Sequence, residues 1–177
     1  MKILFITHSF PYPPDEGIKL MSYNLLKEFS KRHSVILLSL LFSNEEKNYV
    51  HEMEKFCKRV EIVKHRIPRS LFKRLWNIFF QKEPFCAYQF YSKEFAQKLS
   101  KLLKDENFDI IHFDYLTSVY RKLANNLPAV FFPHDALSML FKRNIKGEKN
   151  IFRKFYIYTQ WKKMVCYEKE NIPKFEK

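Results

Sequence analysis

Glycine is nearly absent from this chain: Gly17 and Gly147 are the only two in 177 residues. That scarcity excludes phosphate cradles of the GxGxxG or GxxxxGK kind, which need glycine to bring backbone N–H groups close to phosphate, and neither pattern occurs. Cysteine is sparse too. Cys57, Cys86 and Cys166 are odd in number and too scattered for a disulfide framework or a metal knuckle, so they read as ordinary thiols of a reducing compartment. Long apolar runs are missing. The longest, about Val35–Phe42, falls well short of the ~20 residues a spanning helix needs. Residues 1–7 are too short for a secretory leader and run into prolines and charge, so the expected location is the cytoplasm, with the inner membrane surface as its periphery. Acidic residues are outnumbered 19 to 32 by lysine and arginine, for a net charge of +13. That balance favours an anionic partner, whether nucleic acid, acidic lipid or phosphorylated substrate. Lysines that merely solvate helix faces are the other reading.

What is present argues for one folded domain. Hydrophobic residues make up 46% and aromatics 18%, which excludes disorder. Residues 2–7 (Lys-Ile-Leu-Phe-Ile-Thr) form an apolar run suited to a buried parallel strand. A proline-stiffened loop follows, closing with Asp15, Glu16 and Gly17. Ile18, Met21, Leu25 and Phe29 then recur at helical spacing. Further strands are expected at Ser34–Phe42, Arg59–Val63, Asp109–Phe113 and Pro128–Phe132. Helices are expected at 44–58, capped by Ser43 or Asn44, at 93–105, along Leu116 to Leu123, and around 136–144 and 151–170. Strands alternating with helices predict a parallel sheet covered on both faces, and such sheets bind ligands beyond the carboxyl ends of their strands. The stretch 66–91 breaks the alternation with additional helical, aromatic and basic sequence.

Several segments together resemble family 4 glycosyltransferases of the GT-B fold. They are Met1–Thr7 followed by Pro-x-Pro-Pro-x-x-Gly, then Asp109-Ile-Ile-His-Phe-Asp114, then Val130-Phe-Phe-Pro-His-Asp-Ala-Leu-Ser138, and Tyr167-Glu168 late in a long helix. The resemblance covers residues 1–170 and is to the N-terminal, acceptor-side domain, a Rossmann-like parallel sheet with helices on both faces. It implies transfer of a sugar from a nucleotide-sugar co-substrate to an acceptor hydroxyl, retaining and metal-independent, in cell-surface glycan or glycolipid synthesis. No other cofactor is implied. Nothing matches the family's donor-binding domain, so the expectation is a single domain over 1–177, truncated before its last strand and inactive alone. The family often carries two adjacent glycines in the first loop. Here the pair is Gly17-Ile18, and the isoleucine side chain restricts approach to that backbone.

The candidate site residues follow from place and resemblance. His134 follows the fifth strand, and the resemblance sets it beside the transferred sugar as the catalytic candidate. A loop histidine bonded to backbone is the plainer alternative. Asp135 is either a sugar ligand or the N-cap of the next helix. Gly17 and Ile18 open the first helix, where free N–H groups attract anions, or else simply serve the turn. Asp114 ends the fourth strand, which flanks the switch-point crevice beside the first strand, and capping is again its alternative role. His112, inside that strand, reads as a packed residue.

Between Arg66 and Lys82 the apolar residues exceed what one core-facing stripe needs. Arg69, Lys73, Arg74 and Trp76 are the candidates for contact with an anionic membrane, with Trp and Phe inserted. The other reading is a helix packed on the sheet with a basic rim. A non-catalytic basic module on anionic membrane is the alternative function. Nucleic acid is its weaker branch, since no recognition-helix, RNP or zinc pattern is present.

Overall fold

The computed structural model describes every residue except Arg69, Asn125, Asn126, Asp135, Glu176 and Lys177, and every side chain among the rest but that of Tyr115. The chain runs β1 (Lys2–Thr7), α1 (Gly17–Ser30), β2 (Ser34–Leu41), a 3-10 turn (Glu45–Tyr49) into α2 (Val50–Glu54), and β3 (Arg59–Lys64). It continues through α3 (Leu71–Phe80), α4 (Phe85–Tyr88), α5 (Lys93–Asp105) and β4 (Ile110–Asp114). A 3-10 segment (Tyr115–Ala124), β5 (Ala129–Phe132), α6 (Leu137–Gly147) and α7 (Ile151–Asn171) complete it. The strands form one sheet in the order β3-β2-β1-β4-β5, and all neighbours pair in parallel. This is the Rossmann-like α/β arrangement, with the order reversing between β1 and β4.

Strand alternation divides the core in two. Ile3 and Phe5 of β1 join Val35 and Leu37 of β2 beneath α1 and α2, with Leu26 and Met53 supplied by the helices. Leu4 and Ile6 join Ile36, Leu38, Ile111 and Phe113 on the other face, under Phe95, Leu99 and Leu102 of α5 and Met164 of α7. β1 and β2 are apolar at successive positions because both faces of the sheet are covered there, whereas the edge strand β3 buries only Val63.

The differences from the sequence expectations are local. The buried line on α1 is Ser22 and Leu26, while Met21 is 47% exposed. The helix is rotated by about one residue from the Ile18–Met21–Leu25–Phe29 stripe, because Ser22 has a buried partner on β4. The expected helix over 44–58 is a 3-10 turn and one α-turn. Ser43 Oγ accepts from Glu46 N at 3.4 Å, and Glu46 Oε2 accepts from Ser43 N at 3.2 Å, a reciprocal capping box. The segment after β4 is 3-10, pinned by Thr117 Oγ1 donating to the Asp114 carbonyl at 2.8 Å. Helix α3 carries its large apolar side chains outward and buries Asn77. The Tyr12–Pro13 peptide bond is cis.

Candidate functional site at the carboxyl rim of β1, β4 and β5

Parallel pairing brings the carboxyl ends of β1, β4 and β5 to one rim. Asp114 is the last residue of β4 and stands in register with Phe132, the last of β5. Alternation puts Asp114 and His112 on the α1 face of the sheet, with Phe113 on the other. His112 stacks on its register partner Phe5 with ring centroids 4.2 Å apart.

Asp114 is the polar hub of this rim. Its Oδ2 accepts the Ser22 hydroxyl from α1 at 2.6 Å, and its Oδ1 accepts from Nε2 of His134 in the loop after β5. One carboxylate thus ties the helix after β1, the end of β4 and the loop after β5. An accepting carboxylate requires the imidazole to carry its proton on Nε2. Both partners are enclosed, with side-chain exposures of 4% for His134 and 1% for Asp114. His134 as a whole residue is only half-buried. Its imidazole therefore points into the protein and its main chain lies at the surface of the rim.

His8, just past β1, is buried and meets Phe90 edge-on at 5.2 Å. Burial pushes its pKa down to about 4, Asp114 opposes that fall, and His134 adds to it. His112 is also pushed down to about 4 by burial, with the same two neighbours acting in the same senses. Near neutral pH both rings are uncharged. One turn away, Thr7 Oγ1 donates to Ser39 Oγ at 2.8 Å, which ties the ends of β1 and β2.

The predicted residues separate into two groups. Asp114 and His134 meet directly. Gly17 and Ile18 lie one turn before Ser22 on α1, and the Ile18 carbonyl is 3.0 Å from the Ser22 hydroxyl. Gly17 is exposed, has no positive φ, and would meet nothing within 4 Å if it carried a Cβ. The Asp114 carboxylate is engaged by Ser22 and His134 rather than by a helix N-terminus. Lys73, Arg74 and Trp76 belong to α3, which packs against α7. Asp135 and Arg69 lie outside the described residues.

Sequence reasoning missed Ser22, a polar residue one position beside an apolar stripe, whose partner is 92 residues away. It named Glu168 only within the Tyr167-Glu168 segment and gave it no contact, whereas Glu168 Oε1 accepts the Ser138 N–H at 3.0 Å and so caps α6 from α7. An apolar cavity of about 160 Å³ lies beneath the same loop, lined by Phe131, Pro133, Leu137, Met164 and Glu168 among others. Among the described residues no group of three or more His, Cys, Asp or Glu is placed to hold a metal ion, and no helix is long and apolar enough to cross a membrane.

Neither a curated protein nor a solved structure matches the chain significantly. The profile of Glycosyltransferase Family 4 matches residues 16–167, which include α1 with Ser22, the β4 carboxylate and the His134 loop. The chain therefore belongs to Glycosyltransferase Family 4, as a Rossmann-like N-terminal domain.

Proposed function

We propose that this domain is the acceptor side of a cytoplasmic glycosyltransferase, which moves a sugar from a nucleotide-sugar onto an acceptor hydroxyl in cell-surface glycan or glycolipid synthesis. The family match carries the reading. The polar contacts gathered around Asp114 at the carboxyl rim support siting it there. A donor-binding domain is the partner this reading requires, and the reaction takes place in the cleft between the two.

His134 is the residue assigned to the sugar. The Asp114 carboxylate, itself held by Ser22, fixes the imidazole tautomer and the loop that presents residues 133 and 134. Burial keeps His8 and His112 neutral near neutral pH, so neither ring adds a cation to the rim around Asp114. With its Nε2–H already given to Asp114, His134 acts on the sugar through the loop it orders, and loss of such a preorganising group costs about 10²–10³ in kcat.

The test is sugar transfer by the chain joined to a family donor-binding domain, assayed against a panel of nucleotide-sugars. His134→Ala is expected to lower kcat/KM by about 10²-fold or more. Ser22→Ala is expected to lower it less and to leave KM for the nucleotide-sugar unchanged, because it acts only through Asp114. An unchanged rate in His134→Ala removes that residue from the reaction. No transfer from any nucleotide-sugar by the parent overturns the reading itself.

A further inference from the structure

Helix α3 is built with its apolar face outward. Leu71, Phe72, Leu75, Trp76, Phe79 and Phe80 are 47–74% exposed, while Asn77 is fully buried. At about 100° per residue these six side chains cover a continuous arc of about 180°, and Lys73 and Arg74 flank Asn77 on the opposite side. The exposed rings stack along the surface, with Trp76 and Phe80 centroids 4.2 Å apart.

Polar bonds to α7 hold the helix in this orientation. Gln160 Nε2 donates to Asn77 Oδ1 at 3.1 Å, and Asn77 Nδ2 donates to the Glu83 carbonyl at 3.0 Å. Lys163 Nζ donates to the Gln81 carbonyl at 2.6 Å and to the Asn77 carbonyl. Rotating the apolar arc inward would break these bonds and leave the buried Asn77 amide and the Gln160 Nε2 without partners.

Exposed apolar side chains are not confined to α3. Arg74 acts electrostatically on Tyr156, Asn77 bonds Gln160, and Gln81 bonds Lys163, so α3 and α7 run side by side in the same direction. The start of α7 therefore lies beside the start of α3. There Ile151, Phe152 and Phe155 are 72%, 83% and 57% exposed. Lys149, Arg153 and Lys154 on the same turns are exposed as well.

We propose that the outer face of α3, continued by the first turns of α7, seats this domain on an anionic lipid bilayer. Aromatic and aliphatic side chains enter the acyl boundary while the flanking lysines and arginines meet the headgroups. Charge complementarity selects this occupant. The same cations would face one another across a contact between two copies of the chain, and like charges oppose that pairing. The net charge of +13 draws the molecule toward a negative surface before any side chain inserts. The proposal is independent of the sugar-transfer reading, since a soluble acceptor would leave the face unexplained and a membrane face would not by itself make an enzyme.

The experiment is flotation of the whole chain with unilamellar vesicles of phosphatidylcholine alone or mixed with phosphatidylglycerol. Trp76 emission is followed in a Trp161→Phe background. Binding to the mixed vesicles is expected to exceed binding to neutral ones by about tenfold or more, to weaken with salt, and to shift Trp76 emission to the blue. The double variant Phe72→Ser/Phe79→Ser should lose at least about tenfold in partitioning without a lower melting temperature, because both rings are already in solvent. Phe152→Ser should weaken binding further. The proposal is overturned if the parent stays off both vesicle types, if the double variant binds as the parent does, or if the parent prefers RNA. It is overturned equally if the parent sediments as a dimer that the double variant dissolves.

Discussion

Helix α5 turns Phe95, Leu99 and Leu102 into the sheet, all 3% exposed or less, and leaves Lys93, Lys101 and Lys104 in water. Helix α3 carries as sharp an apolar stripe and turns it the other way. The neighbours account for the difference. Helix α5 lies on a sheet face made of Leu4, Ile6, Ile36 and Leu38, which only apolar side chains can cover. Helix α3 lies against the stretch of α7 that offers Gln160 and Lys163, which an amide and backbone carbonyls satisfy. The strength of a stripe sets how a helix is divided, and the chemistry of the adjoining element sets which half faces inward.

The largest effect that separates the two helices is the loss of one phenylalanine. Phe95→Ala opens a cavity among Leu99, Tyr120 and the sheet and should cost about 3–5 kcal/mol in urea unfolding. Phe79→Ala, on a ring 72% exposed, should stay within about 0.5 kcal/mol. Equal losses at the two positions would mean that the α3 stripe is buried in solution, and the contrast would fail.

Acid probes the comparison next, because the sheet buries titratable rings and the α3–α7 contact does not depend on them. His8 and His112 have folded pKa values of about 4 against an ordinary 6.5. The folded state keeps these rings neutral. Their contribution is intact above pH 6.5 and is lost as the pH falls from 6.5 through 4, where the unfolded chain binds protons that the folded one refuses. Fully expressed, each ring accounts for about 3 kcal/mol. His112→Phe keeps the stack on Phe5 and should flatten the fall of unfolding free energy over that range. Thermal melts of parent and variant at stepped pH measure it. Profiles that run parallel would clear His112 of any part in acid sensitivity.

The same contrast marks what the sequence makes legible. The strands are legible because runs such as Ile3–Ile6 and Val35–Leu38 are apolar at every position, which only a doubly covered sheet requires. The meeting of the Asp114 and His134 turns follows from parallel topology alone. The Ser22 contact does not, since a hydroxyl one place off an apolar stripe gives no sign of a carboxylate 92 residues away. Amphipathicity over 71–80 is plain in the sequence. Its outward direction is not, because it depends on a Gln160 partner 83 residues from Asn77. The 3-10 geometry of Tyr115–Ala124 is likewise hidden, since its apolar spacing fits an α-helix equally well and the tightening comes from Thr117 back to the Asp114 carbonyl.

The smallest effect is also the most direct test of why α3 faces outward. Asn77→Leu removes the side chain that bonds Gln160 and the Glu83 carbonyl, and leaves the Gln160 Nε2 and that carbonyl without this partner, a loss of about 1–3 kcal/mol. The loss should fall on one part of the molecule. Amide exchange should quicken along Leu71–Phe80 and leave Lys93–Asp105 unchanged. The pH profile of stability should match the parent, because neither amide titrates and Lys163 stays charged in acid. A paired Gln160→Leu change removes the second amide along with its partner, and also takes away the acceptor of the buried Phe85 N–H, which Gln160 Oε1 holds at 2.7 Å. If matching the two surfaces in polarity is what orients the helix, the double variant should recover part of the summed loss of the two single changes, each measured alone. Recovery would come with a new freedom, since two apolar surfaces no longer forbid the outer stripe from turning inward, and quenching of Trp76 by iodide would fall as its ring leaves solvent. Quenching that stays at the parent's level would show that the Lys163 bonds to the Asn77 and Gln81 carbonyls alone suffice to hold the aromatic face outward.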